Sequence, residues 1–289
     1  MDLGPLGAWL PPVMSDTTPA ELAVRLEELG YPTVWIAGGI SPGIFEVIES
    51  VLEATEQITV GIGIVNIWME TPESVTAGWH RCEERWPGRL LVGLGISHGP
   101  IIDAFTDQTY RRPLATMRAY LDALDARTDP LPPERRVLGA LGPRMLALAA
   151  ERTAGTHPYH VVVANTAAAR EGVGPGRLVA PELPVVLTSD LAAGREQARS
   201  QLTHYLQLPN YANNWFRAGF TEADVADGGS DRLVDALVAI GDVDAIGARV
   251  QEHRDAGADH VCLQVLGPRP NDAGVYAELA TLLGATRRG

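Results

Sequence analysis

The feature that most limits how this chain can fold is its rhythm. Apolar runs of four to six residues alternate with amphipathic helical stretches about eight times over 289 residues. "LGAWL" (6–10) reads as a first strand. "TPAE" (18–21) then starts a helix, with Thr18 as N-cap, Pro19 at the first helical position and Glu21 closing a capping box. Leu22, Leu26 and Leu29 mark the apolar face, and Gly30 ends it before the strand "TVWI" (33–36). The cycle recurs: a helix over Phe45–Glu53, a strand "ITVGIGI" (58–64), a helix capped by Thr71, and a strand "RLLVGL" (89–94). A helix over Leu114–Ala126, a strand "RRVLGA" (135–140) and a helix over Pro143–Arg152 follow. "PYHVVV" (158–163) and "LPVVL" (183–187) read as two more strands. "EHRDAGADHVCLQV" (252–265) repeats the helix, glycine, strand order of "LEELGYPTVWI" (26–36).

Strands separated by helices call for a parallel sheet with helical crossovers. About eight such units in this length suit a closed (β/α)8 barrel. A doubly wound open sheet is the rival that the glycine patterns alone leave open. One stretch breaks the rhythm: residues 204–232 are polar, aromatic and glycine-containing. They read as a helical insertion before the last βα unit. Its plain role is a surface cap or dimer contact; its sharper role is a lid over the barrel mouth. No linker divides the chain, so one domain over 1–289 is expected.

Composition narrows the class of function. Hydrophobic residues make up 46% and charged residues 20%, enough apolar material for a large core. No apolar run approaches the roughly 20 residues of a bilayer span. "MDLGPLGAWLPP" lacks the basic start of a secretory signal. Cys82 and Cys262 lie far apart, which speaks against a disulfide scaffold or zinc cluster and suits a reducing cytoplasm. The net charge of −13 repels nucleic acid and anionic membrane, which sets both aside as partners.

In a barrel the chemistry sits where the strands end. The segments there are "AGGISPG" (37–43), "NIWMET" (66–71), "SHGP" (97–100), "LGPRM" (141–145) and "THPYH" (156–160). They are rich in glycine and poor in carboxylates. Neither a metal cluster nor the paired acids of a glycosidase is visible. "GALGPRM" (139–145) is the best anion-site candidate: glycines permit close approach, Pro143 opens a helix, and Arg144 adds a cation. A plain strand-to-helix turn needs the same small residues. His98 follows the strand "LLVGLG" and is the candidate proton carrier, against the plain reading of a solvated or capping loop histidine. His157 and His160 flank "PY", one of them reading as a hydrogen-bonding rim residue, and His80, His204 and His253 read as surface or packing residues. Trp9 and Trp35 read as core; Trp68 is placed to face a planar ligand. Arg111 and Arg112 are either solvated or set to balance an anionic tail.

Taken in order, "LEELGYPTVWI", "TVGIGIVNIW", "TPESVTAGWHRCEERWPGRLLVGLGISH", "VLGALGPRMLALAAERTAGTHPYHV" and "GDVDAIGARVQEHRDAGADHVCLQV" resemble the luciferase-like monooxygenase superfamily. The likeness is to its actinobacterial branch of coenzyme F420-dependent oxidoreductases, and it covers nearly the whole chain. It implies a bacterial luciferase-like TIM barrel, α/β in class, with an insertion. It also implies a homodimer or larger assembly, and a deazaflavin (F420) or flavin (FMN) across the barrel mouth. It places a non-prolyl cis peptide at Gly63–Ile64, followed by Val65 and Asn66. It puts Ser97 and His98 near the ring, with Ala37 and Gly38 at the end of the second strand. Gly139, Ala140, Gly142, Pro143 and Arg144 fall at the cofactor tail. The resemblance departs at Ala37-Gly38-Gly39, where many deazaflavin relatives carry an acidic residue or histidine. The activity implied is hydride transfer between cofactor and a small organic substrate. The alternatives are an FMN-dependent monooxygenase, a non-catalytic cofactor-binding member, and, from "LGPRM" alone, a barrel enzyme acting on a phosphorylated metabolite.

Overall fold

A computed structural model describes residues 1–38, 43–267 and 270–286. Ten strands form one parallel sheet: β1 (Leu6–Leu10), β2 (Thr33–Ile36), β3 (Thr59–Asn66), β4 (Leu90–Gly95), β5 (Arg136–Leu138), β6 (Gly155–Thr156), β7 (Leu178–Val179), β8 (Glu182–Leu187), β9 (Ala239–Gly241) and β10 (Val261–Val265). Their order is β7-β6-β5-β4-β3-β2-β1-β10-β8-β9. Only Ala180 and Pro181 separate β7, at one edge of this order, from β8, near the other. The sheet therefore curls back on itself. Backbone bonds join the curl: the Glu182 amide donates to Pro158 O, and the Cys262 amide to Pro181 O.

The helix starts follow local chemistry. Thr18 Oγ1 accepts from the Glu21 amide at 3.2 Å while Glu21 Oε2 accepts from the Thr18 amide at 2.9 Å. This reciprocal cap satisfies donors that the first helical turn leaves free. Thr71 caps the helix Pro72–Arg85 through the Ser74 amide.

Two readings of the sequence are corrected. "PYHVVV" is not a strand: β6 stops at Thr156 and a helix begins at Val163. Between them His160 takes left-handed backbone (φ 51°), which breaks a ladder. The Val-rich run is buried without being extended in a sheet. The second concerns the helical segment expected over 204–232. It includes Pro209–Arg217 and Glu222–Val225, and a further helix follows at Asp231–Leu237. Two strands come after it, not one. β9 is only three residues long, too short to show a period.

Parity along the strands decides what fills the interior, since alternate residues face it. Trp35 is fully buried there, and a Cβ on Gly61 would lie 2.5 Å from its ring. His157 stacks on Trp35, with centroids 4.1 Å apart and planes 8° apart. Trp35 Nε1 donates to His260 Nε2 at 3.1 Å, and the His260 Nδ1–H meets Gly4 O at 2.7 Å. Aromatic rings thus close the interior below, while along β2, β4 and β5 alanine and glycine occupy the positions above.

Candidate active site

Above that plug lies a cavity of about 650 Å³. Its wall is drawn from the strand ends and from the helical segment that follows β8. The register between β3 and β4 shifts between Ile62 and Val65, and the Gly63–Ile64 peptide is cis. The shift turns Ile64 across β4 and β5: a Cβ on Gly95 would meet its Cδ1 at 2.3 Å, and one on Gly139 its Cγ2 at 3.3 Å. Gly38 packs on the same bulge, where a Cβ would sit 1.8 Å from Ile64 O. Gly38 and Gly95 are therefore required sterically, Gly139 is tightly placed, and together with Ile64 they form an apolar ledge.

The residues expected at the site divide into two groups. Ala37, Gly38, Gly63, Ile64, Asn66, Ser97, His98, Gly139 and Gly142 all line the cavity. Gly39 lies outside the described residues. Ala140 is buried in the main core, and Pro143 and Arg144 are exposed away from the cavity. The cation beside the helix start at Gly142 is Arg217 instead. Its Nη2 lies 3.4 Å from Leu141 O and is held by Asn214 Oδ1 at 3.1 Å. Among the described lining residues Arg217 is the one arginine. Sequence proximity favoured Arg144; the fold brings Arg217 from 73 to 78 residues further along, which no local pattern reveals.

Trp68 does not face the cavity. Its Nε1 donates to Ile96 O at 2.8 Å and it packs on Tyr110. Trp9, taken as core, does line it, as do His157 and Tyr159. Tyr205, Asn210, Tyr211, Asn213 and Arg217 come from the segment that follows β8, so this segment supplies one wall. The alternation of aromatic and amide residues in "YANNW" was the signal available for it.

His98 follows Ser97, which has left-handed backbone (φ 56°), and its ring packs 5.0 Å from Tyr211. Burial lowers its pKa from 6.5 to about 4, opposed by a side-chain hydrogen bond with Asn210. The ring is thus neutral at pH 7, rather than poised near neutrality. His157 is also held down at about 4 by burial. Behind Tyr159, Glu182 and His160 are both fully buried, with Oε2 and Nδ1 3.9 Å apart. Burial raises Glu182 to about 8 and lowers His160 to about 3. Desolvation outweighs their attraction, so this contact joins two neutral groups at pH 7. Among the described residues no cluster of three His, Cys, Asp or Glu side chains suits a metal. No described helix is long and apolar enough to cross a membrane.

A ledge at a strand bulge, a tyrosine-lined wall and an arginine beside a helix start thus meet in one cavity at the strand ends of a curled, parallel α/β sheet. The luciferase-like monooxygenase family profile matches residues 17–260, and the chain belongs to that family. A Mycobacterium tuberculosis protein provisionally named a coenzyme F420-dependent oxidoreductase is 24% identical, across 82% of this chain and 88% of its own. In structure the chain is similar to an F420-dependent secondary alcohol dehydrogenase bound to an F420-acetone adduct (TM-score 0.76, 14% identity, 98% and 99% of the two chains). It is also similar to the oxygenating constituent of 3,6-diketocamphane monooxygenase from Pseudomonas putida in complex with FMN (TM-score 0.65, 12% identity, 96% of each).

Proposed function

We propose that this chain is an F420-dependent oxidoreductase that moves a hydride between the deazaflavin and a small organic molecule. One observation carries the reading. The glycine-cradled ledge at Ile64 lies beside two buried, unpaired polar atoms, Trp9 Nε1 and His157 Nε2. A flat, polar-edged ring fits such a place, and a purely apolar ligand does not. Ile64, Gly95 and Gly139 would back the ring, and Arg217 with the helix start at Gly142 would take the phosphate-bearing tail. When bound, the cofactor supplies hydride transfer. The chain's own share is to hold the ring, exclude water with Tyr159, Tyr205 and Tyr211, and offer His98 Nδ1 or Nε2 to the substrate. His98, neutral at pH 7, takes a proton there when the substrate is oxidised and returns it when the product is reduced. In this reading the curled sheet is a (β/α)8 barrel. β7 and β8 are two halves of one stave, β9 is an added strand, and the helical wall after β8 is the lid.

A fluorescence titration with F420, run beside FMN, tests the cofactor. Saturable binding of F420 and not FMN is expected; FMN alone would move the chain to the monooxygenase reading, and neither would overturn the site assignment. His98→Ala is expected to keep cofactor affinity and lose turnover; unchanged turnover would remove its role.

A further inference from the structure

Two tryptophan–histidine pairs stand in the barrel interior, and only one is closed. In the lower pair, Trp35 Nε1 donates directly to His260 Nε2, and His260 Nδ1–H is spent on Gly4 O. The upper pair has the same parts. His157 Nδ1 lies 2.7 Å from Ala180 O, a backbone carbonyl that can only accept, so Nδ1 carries the proton. The other nitrogen, Nε2, is therefore a lone-pair acceptor, and Trp9 Nε1 is a donor only. Here donor and acceptor do not meet, and both are unpartnered. Trp9 is 7% and His157 1% exposed, and both line the cavity. Both nitrogens converge on Gly63: a Cβ there would be 2.6 Å from His157 Nε2 and 3.3 Å from Trp9 Nε1. Only glycine lets the β3 backbone lie this close to the two nitrogens. The stack of His157 on Trp35 fixes the plane of its ring, and Tyr159 packs 5.2 Å from Trp9.

We infer that Trp9 Nε1 and His157 Nε2 form a donor–acceptor fork that reads a neutral group able to accept and donate side by side, the C=O and N–H edge of a lactam. A carboxylate or phosphate is excluded there, because it would set its lone pairs against that of His157. A ketone or ether would satisfy Trp9 and leave His157 bare. Resting on the deazaflavin reading above, the fork holds the lactam edge of the cofactor's pyrimidine ring, and so sets which edge of the ring points inward. A substrate hydroxyl has the same paired chemistry, and the test separates the two.

The experiment follows the Trp9 indole and His157 imidazole nitrogens by 15N NMR in the full chain, first alone and then with F420 and with FMN. Trp9→Phe removes the donor. His157→Asn keeps a nitrogen for Ala180 O and withdraws the acceptor from the Nε2 position to that of Cδ2. The expected result is that a bound cofactor shifts both resonances, and that each variant weakens cofactor binding about tenfold, the worth of one buried hydrogen bond. Cofactor binding that leaves both resonances and the Trp9→Phe affinity unchanged overturns the fork as a ring contact and assigns the pair to a substrate hydroxyl or to water. Failure of wild-type protein to bind either cofactor is a separate outcome: it overturns the cofactor reading itself. If His157→Asn does not fold, the Trp9→Phe affinity and the wild-type spectra still decide.

Discussion

Lowering the pH from 7 to 5 is expected to unfold this protein, and its histidines set the size of the effect. Burial places five of the seven far below 6.5: His98, His157, His253 and His260 at about 4, and His160 at about 3. Each stays neutral in the folded chain at pH 5, whereas the unfolded ring protonates near 6.5. The unfolded state therefore binds the extra protons, and stability falls as pH drops from about 6.5 toward 4. Each ring costs about 2 kcal/mol between pH 7 and 5, and the five together about 9 kcal/mol. Glu182 acts the other way. Its folded pKa of about 8 lies above its unfolded value, so the native state gains about 3 kcal/mol over the same interval. The net loss of about 6 kcal/mol matches the whole stability of many domains. Urea unfolding followed by tryptophan fluorescence, at fixed pH from 8 to 4, measures it. A urea midpoint that does not move between pH 7 and 5 would refute the assignment of these rings as neutral and buried.

Four further outcomes follow from the same geometry. Glu182→Gln is expected to stabilise the fold at pH 8, where the wild-type carboxyl resists ionising, with the advantage shrinking to nothing by about pH 4.5; urea midpoints at the two pH values check it. Gly38→Ala drives a methyl toward Ile64 O and is expected to cost about 2 kcal/mol and weaken cofactor binding, read by thermal unfolding and by titration. Arg217→Ala is expected to weaken F420 binding about tenfold and to flatten its salt dependence, while a phosphate-free ring fragment binds as before. Replacing Arg144, which is exposed outside the cavity, by Ala is expected to leave the same titration unchanged within twofold.

Much of the fold was legible because its signals are local. Thr18, Pro19 and Glu21 announce a helix start within four residues, and β1 to β4 each present enough apolar residues to show themselves. β6, β7 and β9 have two or three residues, fewer than any period needs. "PYHVVV" misled for a related reason: apolarity reports burial, and Val161 and Val162 are buried in a connection rather than in a ladder. The site was half legible. Gly63, Gly95 and Gly139 are visible as glycines at strand ends, and the family resemblance located the bulge among them. Arg217 and Tyr211 were not, because a segment more than a hundred residues from His98 brings them to the cavity.

The inward positions of the strands carry a second layer of information that becomes readable once the register is known. On β2 the inward residue Trp35 is followed two places on by Ala37. On β4 Leu91 is followed by Gly93 and Gly95, and on β5 Val137 by Gly139. Residue size thus falls along these three strands at constant parity, so the interior is packed at depth and opens near their ends. β1 reverses the order: Gly7 lies below, where His260 needs its space, and Trp9 above, at the edge of the cavity. That reversal delivers an indole donor beside the glycines and Ala37 of the cavity wall. There Trp9 packs against Tyr159 and leaves its indole N–H without a partner. In the fork proposed above, that N–H ties the specificity of the cavity to the parity of the first strand.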